Sequence, residues 1–248
     1  MRLLLVFINE PVPGKVHTRL AVDAGEQEAA RYYKATVEVM LRQLQGLENC
    51  RIRFCYAPDD AGEAIRFWIL PCMSATMAAD DDLYLAPSSH AGDTLSQEVD
   101  FRPQGEGDFG AKLERAFAEG FTQGYKDIAV IGPNSPECGA RWINAAFSRL
   151  DSQAARDAVI GPTTSGSYYL LVLKSHASEL FEDIPWKSEN VLSATLSAAR
   201  RGGLSLEHLP RLGEVVELSD WQNLLGSPLG AALKKALGEP VKDEIHPD

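Results

Sequence analysis

The sequence predicts an α/β fold in which helices cover a mostly parallel sheet. Its first segment, Arg2 to Phe7, is a continuous apolar run that polar residues and a proline end, which is typical of a buried strand. Segments of strand character then alternate with segments of helical periodicity along most of the chain. This alternation favours a parallel sheet, because the chain must cross back between parallel strands and usually does so through a helix.

The remaining elements follow from local patterns. A loop from Asn9 to about Val22 follows the first strand, Asp23 is spaced as an N-cap to its capping-box partner Glu26, and apolar side chains then recur at helical spacing until Gly46. Short alternating or continuous apolar runs predict the later strands, and spacings of three and four predict the later helices. In chain order these are strand Arg51–Tyr56, helix Asp60–Leu70, strand Val99–Arg102, helix Gly110–Gly120, strand Asp127–Ile131, helix Cys138–Leu150, strands Ala158–Gly161 and Tyr168–Leu173, helices Ser175–Phe181 and Glu189–Arg201, and strand Ser205–Leu209.

The 248 residues suit one large domain, since single α/β domains often reach about 200–250 residues. We expect that domain to cover residues 1–237. Periodicity fades over residues 71–98, which include the acidic run Asp80 to Asp82, and this favours an inserted surface excursion. Residues 238–248 carry two prolines and mixed charge, so we expect a flexible tail there.

Composition excludes several classes of protein. With 45% hydrophobic and 24% charged residues, the chain resembles an ordinary globular protein rather than a disordered or collagen-like one. A net charge of −11 argues against nucleic-acid binding, because neutralising phosphates requires a basic surface. The N-terminal apolar run is too short for a membrane span or a signal sequence, so we expect a cytoplasmic protein. The four cysteines lack CxxC spacing, which argues against a zinc or redox site.

A basic loop follows the first strand, at the edge of the sheet where α/β folds place their ligands. Gly14 lets the backbone approach a ligand closely, Lys15 and Arg19 carry charge that suits phosphate, and Thr18 offers a hydroxyl. In an otherwise acidic protein this cluster indicates a phosphate-binding site. A surface loop with solvated cations is the alternative, and both interpretations stay open.

Three later loops carry groups that suit a ligand. Glycines surround Glu106 and Asp108, whose carboxylates suit a ribose, a sugar hydroxyl or a hard cation, although Asp108 is equally well placed to cap the next helix. Asn134 and Ser135 either bind a ligand or cap a helix. In the last loop, small hydroxyl residues precede Tyr168, which indicates either a sugar-facing surface or a turn into an edge strand.

Taken together and in order, five segments resemble a known family. The segments are PVPGKVHTRL, RPQGEGDFG, VIGPNSP, IGPTTSGSYYLL and Ile184-Pro185-Trp186. They resemble uncharacterised bacterial transferases, sometimes labelled radical-SAM/selenodomain-associated, within the nucleotide-diphospho-sugar transferase superfamily. The similarity spans about Met1 to Leu224, apart from the excursion.

This resemblance implies a GT-A-type, Rossmann-like α/β/α sandwich with a nucleotide-sugar across the carboxyl ends of the strands. It implies that Lys15 and Arg19 hold the phosphates, and that a divalent cation or cationic side chains offset charge on the departing nucleoside diphosphate. Trp186 is expected on the acceptor side, either as a pocket wall or as a packing anchor. The residues expected to bind the nucleotide or sugar are Asn9, Pro13, Gly14, Lys15, Thr18, Arg19, Gln104, Gly105, Asp108, Asn134, Ser135, Ser165 and Tyr168.

The chain departs from the family where carboxylates are expected. Asn134 replaces the Asp of Gly-Ser-Asp-x-Pro, Ser165 replaces the first Asp of Asp-Gly-Gly-Tyr-Tyr, and Glu214-Val215-Val216 stands where Asp-x-Asp is common. Asn9 stands where the family usually has Lys. Because neutral Asn, Ser and Val216 are poor ligands for Mg²⁺ or Mn²⁺, we expect metal binding to be weakened and name no metal ligand.

The candidates for catalysis are therefore few. Asp108, Glu106 and Glu214 remain as acids. Lys15 and Arg19 are the groups expected to stabilise a leaving group without metal. His17 is a further candidate for that role, with an exposed loop histidine as the competing interpretation.

We therefore expect an enzyme that transfers a sugar from a nucleotide-diphospho-sugar to an acceptor that the sequence does not identify. Two alternatives stay open. One is a degenerate family member that binds a nucleotide or a partner with little catalysis, as the loss of acids suggests. The other is a nucleotidyltransferase acting on a nucleoside triphosphate, since related folds place a basic loop after the first strand.

Overall fold

The computed structural model describes residues 1–78, 99–152 and 156–239. Within them seven strands form one sheet. The strands are β1 (Arg2–Asn9), β2 (Cys50–Ala57), β3 (Val99–Pro103), β4 (Ile128–Ile131), β5 (Ala158–Pro162), β6 (Tyr168–Leu173) and β7 (Leu206–His208). Their order in the sheet is β3-β2-β1-β4-β6-β5-β7. Neighbouring strands are parallel except where β6 pairs with β4 and β5.

Helices cover both faces of this sheet, which confirms the predicted α/β sandwich. The helices are α1 (Ala21–Ala24), α2 (Glu26–Gln43), α3 (Gly62–Ala78), α4 (Phe109–Thr122), α5 (Ala140–Ser152), α6 (Val191–Arg201), α7 (Leu218–Leu225) and α8 (Gly230–Ala236). Helices α2, α3 and α5 pack on one face, and α4 and α6 pack on the other. No helix in the described part of the chain is long and apolar enough to cross a membrane.

The continuous apolar run of β1 follows from its central position. Successive side chains of a strand point to opposite faces. Leu4 and Val6 are buried against α2 and α5, whereas Leu5 and Phe7 are buried against α4 and α6. Because both faces are covered, no position in the strand favours a polar residue.

A buried arginine joins two strands near the edge of the sheet to the end of α4. The guanidinium of Arg53, which is 1% exposed, donates to both carboxylate oxygens of Asp100 at 2.7 and 3.0 Å. It also donates to the side-chain oxygen of Gln123 at 2.7 Å. These contacts connect β2, β3 and the end of α4 in the half of the sheet away from the strands' carboxyl ends.

The C-terminal helices form an additional layer that the sequence analysis did not predict. They pack on the outer side of α2, where Trp221 is buried and its ring stacks on Tyr32 with centroids 4.4 Å apart. Glu217 and Asp220 form a capping box at the start of α7. That box, together with apolar residues at Trp221 and Leu224, is the signal that could have revealed α7.

Three local predictions were wrong. Asp23 is not an N-cap: it lies inside α1, and Gly25, at a φ of 84°, ends that helix and begins α2 without a side-chain cap. The predicted helix Asp60–Leu70 continues through Pro71 to Ala78, so the start of the predicted excursion is helical. The predicted helix Ser175–Phe181 is only a 3₁₀ turn at Ser178–Leu180.

Two predicted segments lie outside the described residues. They are residues 79–98 of the predicted excursion, with Asp80 to Asp82, and residues 240–248 of the predicted tail.

Candidate functional site

A cleft of about 530 Å³ opens where the carboxyl ends of the parallel strands meet. The strand β6 runs the opposite way, so its first residues reach the same edge. The predicted site residues that line the cleft are Asn9, Lys15, Thr18, Arg19, Gln104, Asn134, Ser135, Tyr168, Trp186 and Glu214. The predicted residues that do not line it are Pro13, Gly14, Gly105, Glu106, Asp108 and Ser165.

The loop after β1 supplies one wall of the cleft and two of its cations. Arg19 is exposed and donates to the carboxylate of Glu217 at 2.6 Å, so α7 holds its guanidinium. Lys15 is also exposed, and no acidic side chain of the described residues forms an ion pair with it. The ammonium of Lys15 is therefore available to an anion in the cleft.

His17 differs from the exposed histidine that was the competing interpretation. Burial lowers its pKa to about 4, so its imidazole is neutral near pH 7 in the ligand-free chain. Its ring meets that of Tyr33 edge to face at 5.3 Å, and its φ is 45°. Its buried Nε2 has no hydrogen-bond partner among the described residues. Burial thus argues against the role of His17 as a cation, although the residue does line the cleft.

The glycine-rich loop after β3 is held to α4 beside the cleft by hydrogen bonds. Asp108 caps α4 by accepting the backbone N–H of Ala111 at 2.9 Å. The side chain of Arg115 donates to the carbonyl oxygens of Gln104 and Glu106 at 2.6 and 2.7 Å. The capping interpretation of Asp108 therefore describes its contacts, and the carboxylate of Glu106 lies outside the cleft lining.

Gln104 holds three strand ends together beneath the cleft. It is 7% exposed, and its side-chain nitrogen donates to the carbonyl oxygens of Ile8 and Cys55 at 3.1 and 3.0 Å. Its backbone N–H donates to the carbonyl oxygen of Tyr56. A buried amide with both hydrogens bonded is a strong positional restraint, and Gln104 fixes the floor on which a ligand would lie.

Three positions at which the resemblance implies acids lie close together in the structure. The carboxylate of Glu214 accepts hydrogen bonds from the amide of Asn134, at 3.4 Å, and from the hydroxyl of Ser165. The backbone N–H of Val215 donates to the carbonyl oxygen of Asn134 at 2.7 Å, which links the two loops. Val216 lines the cleft beside them. The sequence separates these residues widely, and the fold brings them together.

This donor set does not fit a divalent cation. It offers one carboxylate, an amide and a hydroxyl, whereas Mg²⁺ and Mn²⁺ prefer carboxylate oxygens. Within the described ranges, no group of three His, Cys, Asp or Glu side chains is arranged to hold a metal ion.

Aromatic rings form the opposite end of the cleft. The ring of Phe109 packs edge to face on those of Phe7 and Trp186, with centroids 5.8 and 5.2 Å apart. The rings of Trp186 and Tyr168 pack in the same way, with centroids 6.3 Å apart. A Cβ at Gly110 would lie 2.7 Å from the indole nitrogen of Trp186, so this ring packs directly on the α4 backbone. Trp186 is thus both a wall of the cleft and a packing anchor.

Tyr168 presents an unsatisfied group at this end. Its hydroxyl is buried, and none of the described residues forms a hydrogen bond with it. Burial raises the pKa of this phenol, so it stays protonated and able to donate. A buried hydroxyl without a partner is unfavourable in the free protein, and a ligand with a hydroxyl or carbonyl oxygen would satisfy it.

The cleft lining includes residues that the sequence analysis did not place in the site, among them Tyr33, Phe109 and Lys112. The hydroxyl of Tyr33 accepts the backbone N–H of Asn9 at 2.7 Å, which fixes the end of β1. Phe109 and Lys112 lie in the first turn of α4. Their position directly after the glycine-rich loop is the signal that could have found them, since the start of that helix must lie at the carboxyl edge of the sheet.

The chain is similar to two solved structures that inform its fold. The "putative nucleotide-diphospho-sugar transferase" of Desulfovibrio desulfuricans G20 is 27% identical, with a TM-score of 0.72 over 95% of this chain and 96% of the other. The 4-diphosphocytidyl-2C-methyl-D-erythritol synthase of Anaerococcus prevotii DSM 20548 is 9% identical, with a TM-score of 0.51 over 88% and 92%. The second likeness concerns the fold alone. Together they confirm the GT-A-type fold.

No curated protein matches the chain. The family described as "Uncharacterized protein conserved in bacteria (DUF2064)" matches residues 40–188. That match includes the glycine-rich loop, β4, β6 and Trp186, which carry much of the cleft. Because it covers more than half of the sequence, the chain belongs to this bacterial family, DUF2064.

Proposed function

We propose that the chain is a transferase that binds a nucleotide-diphospho-sugar across the cleft and moves its sugar to an acceptor. The observation that carries the proposal is the composition of one cleft, which a wall of aromatic rings lines together with two polar groups. Among the described residues, the ammonium of Lys15 has no ion-pair partner and the hydroxyl of Tyr168 has no hydrogen-bond partner. The ammonium suits a phosphate, the hydroxyl suits a sugar hydroxyl, and the rings suit the apolar face of a sugar or base. Similarity to the Desulfovibrio protein supports the same class of donor.

The arrangement suggests how the donor lies. The phosphates contact the loop after β1, where Lys15, Thr18 and Arg19 line the cleft. The sugar extends toward Tyr168 and the ring of Trp186. The phosphates thus meet a cationic loop, and the sugar meets a wall of aromatic rings.

Glu214 is the proposed catalytic base. It is the one carboxylate among the described residues that line the cleft, and two donors orient it. In transfer, the bond between the anomeric carbon and the diphosphate oxygen breaks, and a bond to the acceptor oxygen forms. The acceptor's proton passes to Glu214, and the electron pair of the broken bond stays on the diphosphate.

A ligand panel tests this proposal directly. Thermal unfolding is measured with nucleoside diphosphates, triphosphates and nucleotide-sugars, each with Mg²⁺, with Mn²⁺ or with chelator. A ligand at about a hundred times its dissociation constant adds roughly 2.7 kcal/mol, which is about 5–10 °C for a chain of this size. We expect one nucleotide-sugar to give this shift, and no shift with any nucleotide would contradict the proposal.

The released product identifies the reaction. With the donor from the panel and candidate acceptors, sugar transfer releases a nucleoside diphosphate, whereas nucleotidyl transfer releases pyrophosphate. We expect Glu214→Gln to keep donor affinity and to lower turnover by about 10²–10⁴-fold. Glu137→Gln is the matched control, since Glu137 lies outside the cleft lining. Equal turnover in the two variants would remove Glu214 from the mechanism.

A second candidate function is a nucleotide-binding module with little catalysis. It is favoured by the neutral residues Asn134, Ser165 and Val216 around the single carboxylate of Glu214. This candidate predicts donor binding without release of any product. It also predicts that the double variant Asn134→Asp with Ser165→Asp gains metal-dependent binding, because three carboxylates then converge. Failure to gain that dependence would count against this explanation of the lost acids.

A further inference from the structure

The charges that line the cleft are unevenly paired. Three cationic side chains line it: Lys15, Arg19 and Lys112. Arg19 already contacts the carboxylate of Glu217 at 2.6 Å. Lys15 and Lys112 form no ion pair with any described residue. The cleft thus contains two ammonium groups that no described acidic side chain pairs with, in a protein whose net charge is −11.

These two lysines reach the cleft from different walls. Lys15 lies on the loop after β1, and Lys112 lies in the first turn of α4. The backbone of α4 is held there by its neighbours: Leu113 is 1% exposed in the core, and Gly110 leaves no room for a Cβ beneath Phe181 and Trp186. Lys112 is therefore carried by a rigid element, whereas Lys15 is carried by a loop.

We propose that Lys15 and Lys112 together form a metal-independent binding site for the diphosphate of the donor, with Lys112 as a charge-stabilising residue. The proposal rests on the proposed function and adds a residue to it. It also explains the acid-poor cluster of Asn134, Ser165 and Glu214, which does not fit a divalent cation. A cleft that provides its own two cations needs no metal to bind a diphosphate.

The same pair serves the chemical step. When the bond between the anomeric carbon and the diphosphate oxygen breaks, its electron pair remains on the diphosphate, whose negative charge increases. Cations that are fixed before the reaction stabilise that charge without reorganisation. A lysine ammonium suits this role because it acts as a compact point charge that can reorient its three donors as charge moves between oxygens.

Pyrophosphate binding tests the site without knowledge of the base or sugar. Titration calorimetry with inorganic pyrophosphate in the presence of chelator compares the wild-type chain with Lys112→Met and Lys126→Met. Lys126 is the matched control, because it is exposed and follows α4 at the amino edge of the sheet, where its backbone N–H donates to the carbonyl oxygen of Met1. Both variants remove one positive charge.

We expect Lys112→Met to weaken pyrophosphate binding by about 10–100-fold, the range for one charged hydrogen bond. Lys126→Met should stay within about twofold of the wild type, and Lys112→Arg should restore most of the affinity. The ligand-free melting temperatures of the variants should agree, and this separates a binding role from a structural one. If Lys112→Met unfolds, Lys112→Gln and Lys112→Arg carry the same comparison.

The outcomes separate this inference from the proposed function. Wild-type binding in chelator that Lys112→Met leaves unchanged would overturn the role of Lys112 and leave the transferase proposal standing. Wild-type binding that requires Mg²⁺ or Mn²⁺ would overturn the metal-independent site. No binding of pyrophosphate or of any nucleotide-sugar, with or without metal, would overturn both.

Discussion

Polar groups near the amino ends of the strands differ in their pairing from those near the carboxyl ends. Toward the amino edge, the buried guanidinium of Arg53 is bonded to Asp100, at 2.7 Å, and to a glutamine. At the carboxyl edge, Lys15 and Lys112 have no ion-pair partner among the described residues, and the buried hydroxyl of Tyr168 has no hydrogen-bond partner there. Both regions belong to one fold. They differ in whether the charged group has an ion-pair partner among the described residues, although the buried Nη1 of Arg53 has no hydrogen-bond partner there either.

This difference separates groups that stabilise the fold from groups that we propose to bind a ligand. A charged group that is buried with its partner becomes destabilising when the partner is removed. A polar group left without a partner costs stability in the free protein and gains a partner only when something binds. Substitutions at the first edge should therefore change unfolding, and those at the second should change ligand binding.

The largest effect is expected at Asp100. Asp100→Asn leaves the guanidinium of Arg53, 1% exposed, without its counter-charge. We expect a loss of about 3 kcal/mol in the free energy of unfolding, measured by urea denaturation near pH 7. Asp151→Asn is the control, because its carboxylate pairs with Arg2 while 61% exposed and should cost less than about 1 kcal/mol. Equal losses would contradict the contrast between buried and exposed pairs.

His17 should make stability depend on pH. Its pKa is about 4 in the folded chain, against 6.5 for the unperturbed group. The unfolded state therefore binds more protons between these values, and stability falls as the pH drops from about 6.5 toward 4. Between pH 7 and 5 we expect the wild type to lose about 2 kcal/mol more than His17→Asn, in which asparagine tolerates the φ of 45°. Denaturation curves at the two pH values test this, and identical pH dependence would refute the burial argument.

Two adjacent tyrosines sharpen the comparison within one strand. The hydroxyl of Tyr169 donates to the carbonyl oxygen of Pro210 at 3.1 Å, whereas that of Tyr168 has no partner among the described residues. Tyr169→Phe should cost about 1 kcal/mol of ligand-free stability, and Tyr168→Phe should leave it unchanged or raise it by up to about 1 kcal/mol. Calorimetric melting of both variants gives the answer. A larger loss for Tyr168→Phe would mean that its hydroxyl is already satisfied.

The smallest effect is expected at Arg19. Its pair with Glu217 is exposed on both sides, with side chains 67% and 54% accessible. Arg19→Ala should therefore change the free energy of unfolding by only about 0.2–1 kcal/mol. Because the same pair competes with a ligand for the guanidinium, Arg19→Ala should also weaken pyrophosphate binding less than Lys15→Met does. The reverse order in a calorimetric titration would make Arg19 the principal phosphate ligand.

Much of the fold could be predicted from the sequence because its signals are local and repeated. The apolar run of β1 required burial on both faces, and the alternation of strands and helices required a parallel sheet. The loops that follow β1 and β4 then had to meet at one edge. The short helices α7 and α8 escaped prediction because each spans only two turns, too few for a clear apolar period.

The site was less predictable, because contacts across the sequence decide it. Lys112 looks like any solvated lysine on a helix until α4 is placed against the sheet. His17 looks exposed until Tyr33 packs against it. For Asp108 the sequence offered two roles, and only the bond to Ala111 distinguishes them. The contacts among Asn134, Ser165 and Glu214 could not be predicted from the sequence either, because these residues are far apart in it.

The central position of β1 has a consequence for synthesis of the chain. On one side Arg2 pairs with Cys50, but on the other side Leu3 pairs with Ile128, about 125 residues later. At about 5–20 residues per second, a ribosome needs roughly 6–25 s to make that interval. Throughout this time an apolar strand edge at the heart of the future sheet has no native neighbour. Until β4 emerges, the nascent chain should therefore need chaperones, or a low local concentration of its own copies, to avoid aggregation at this edge.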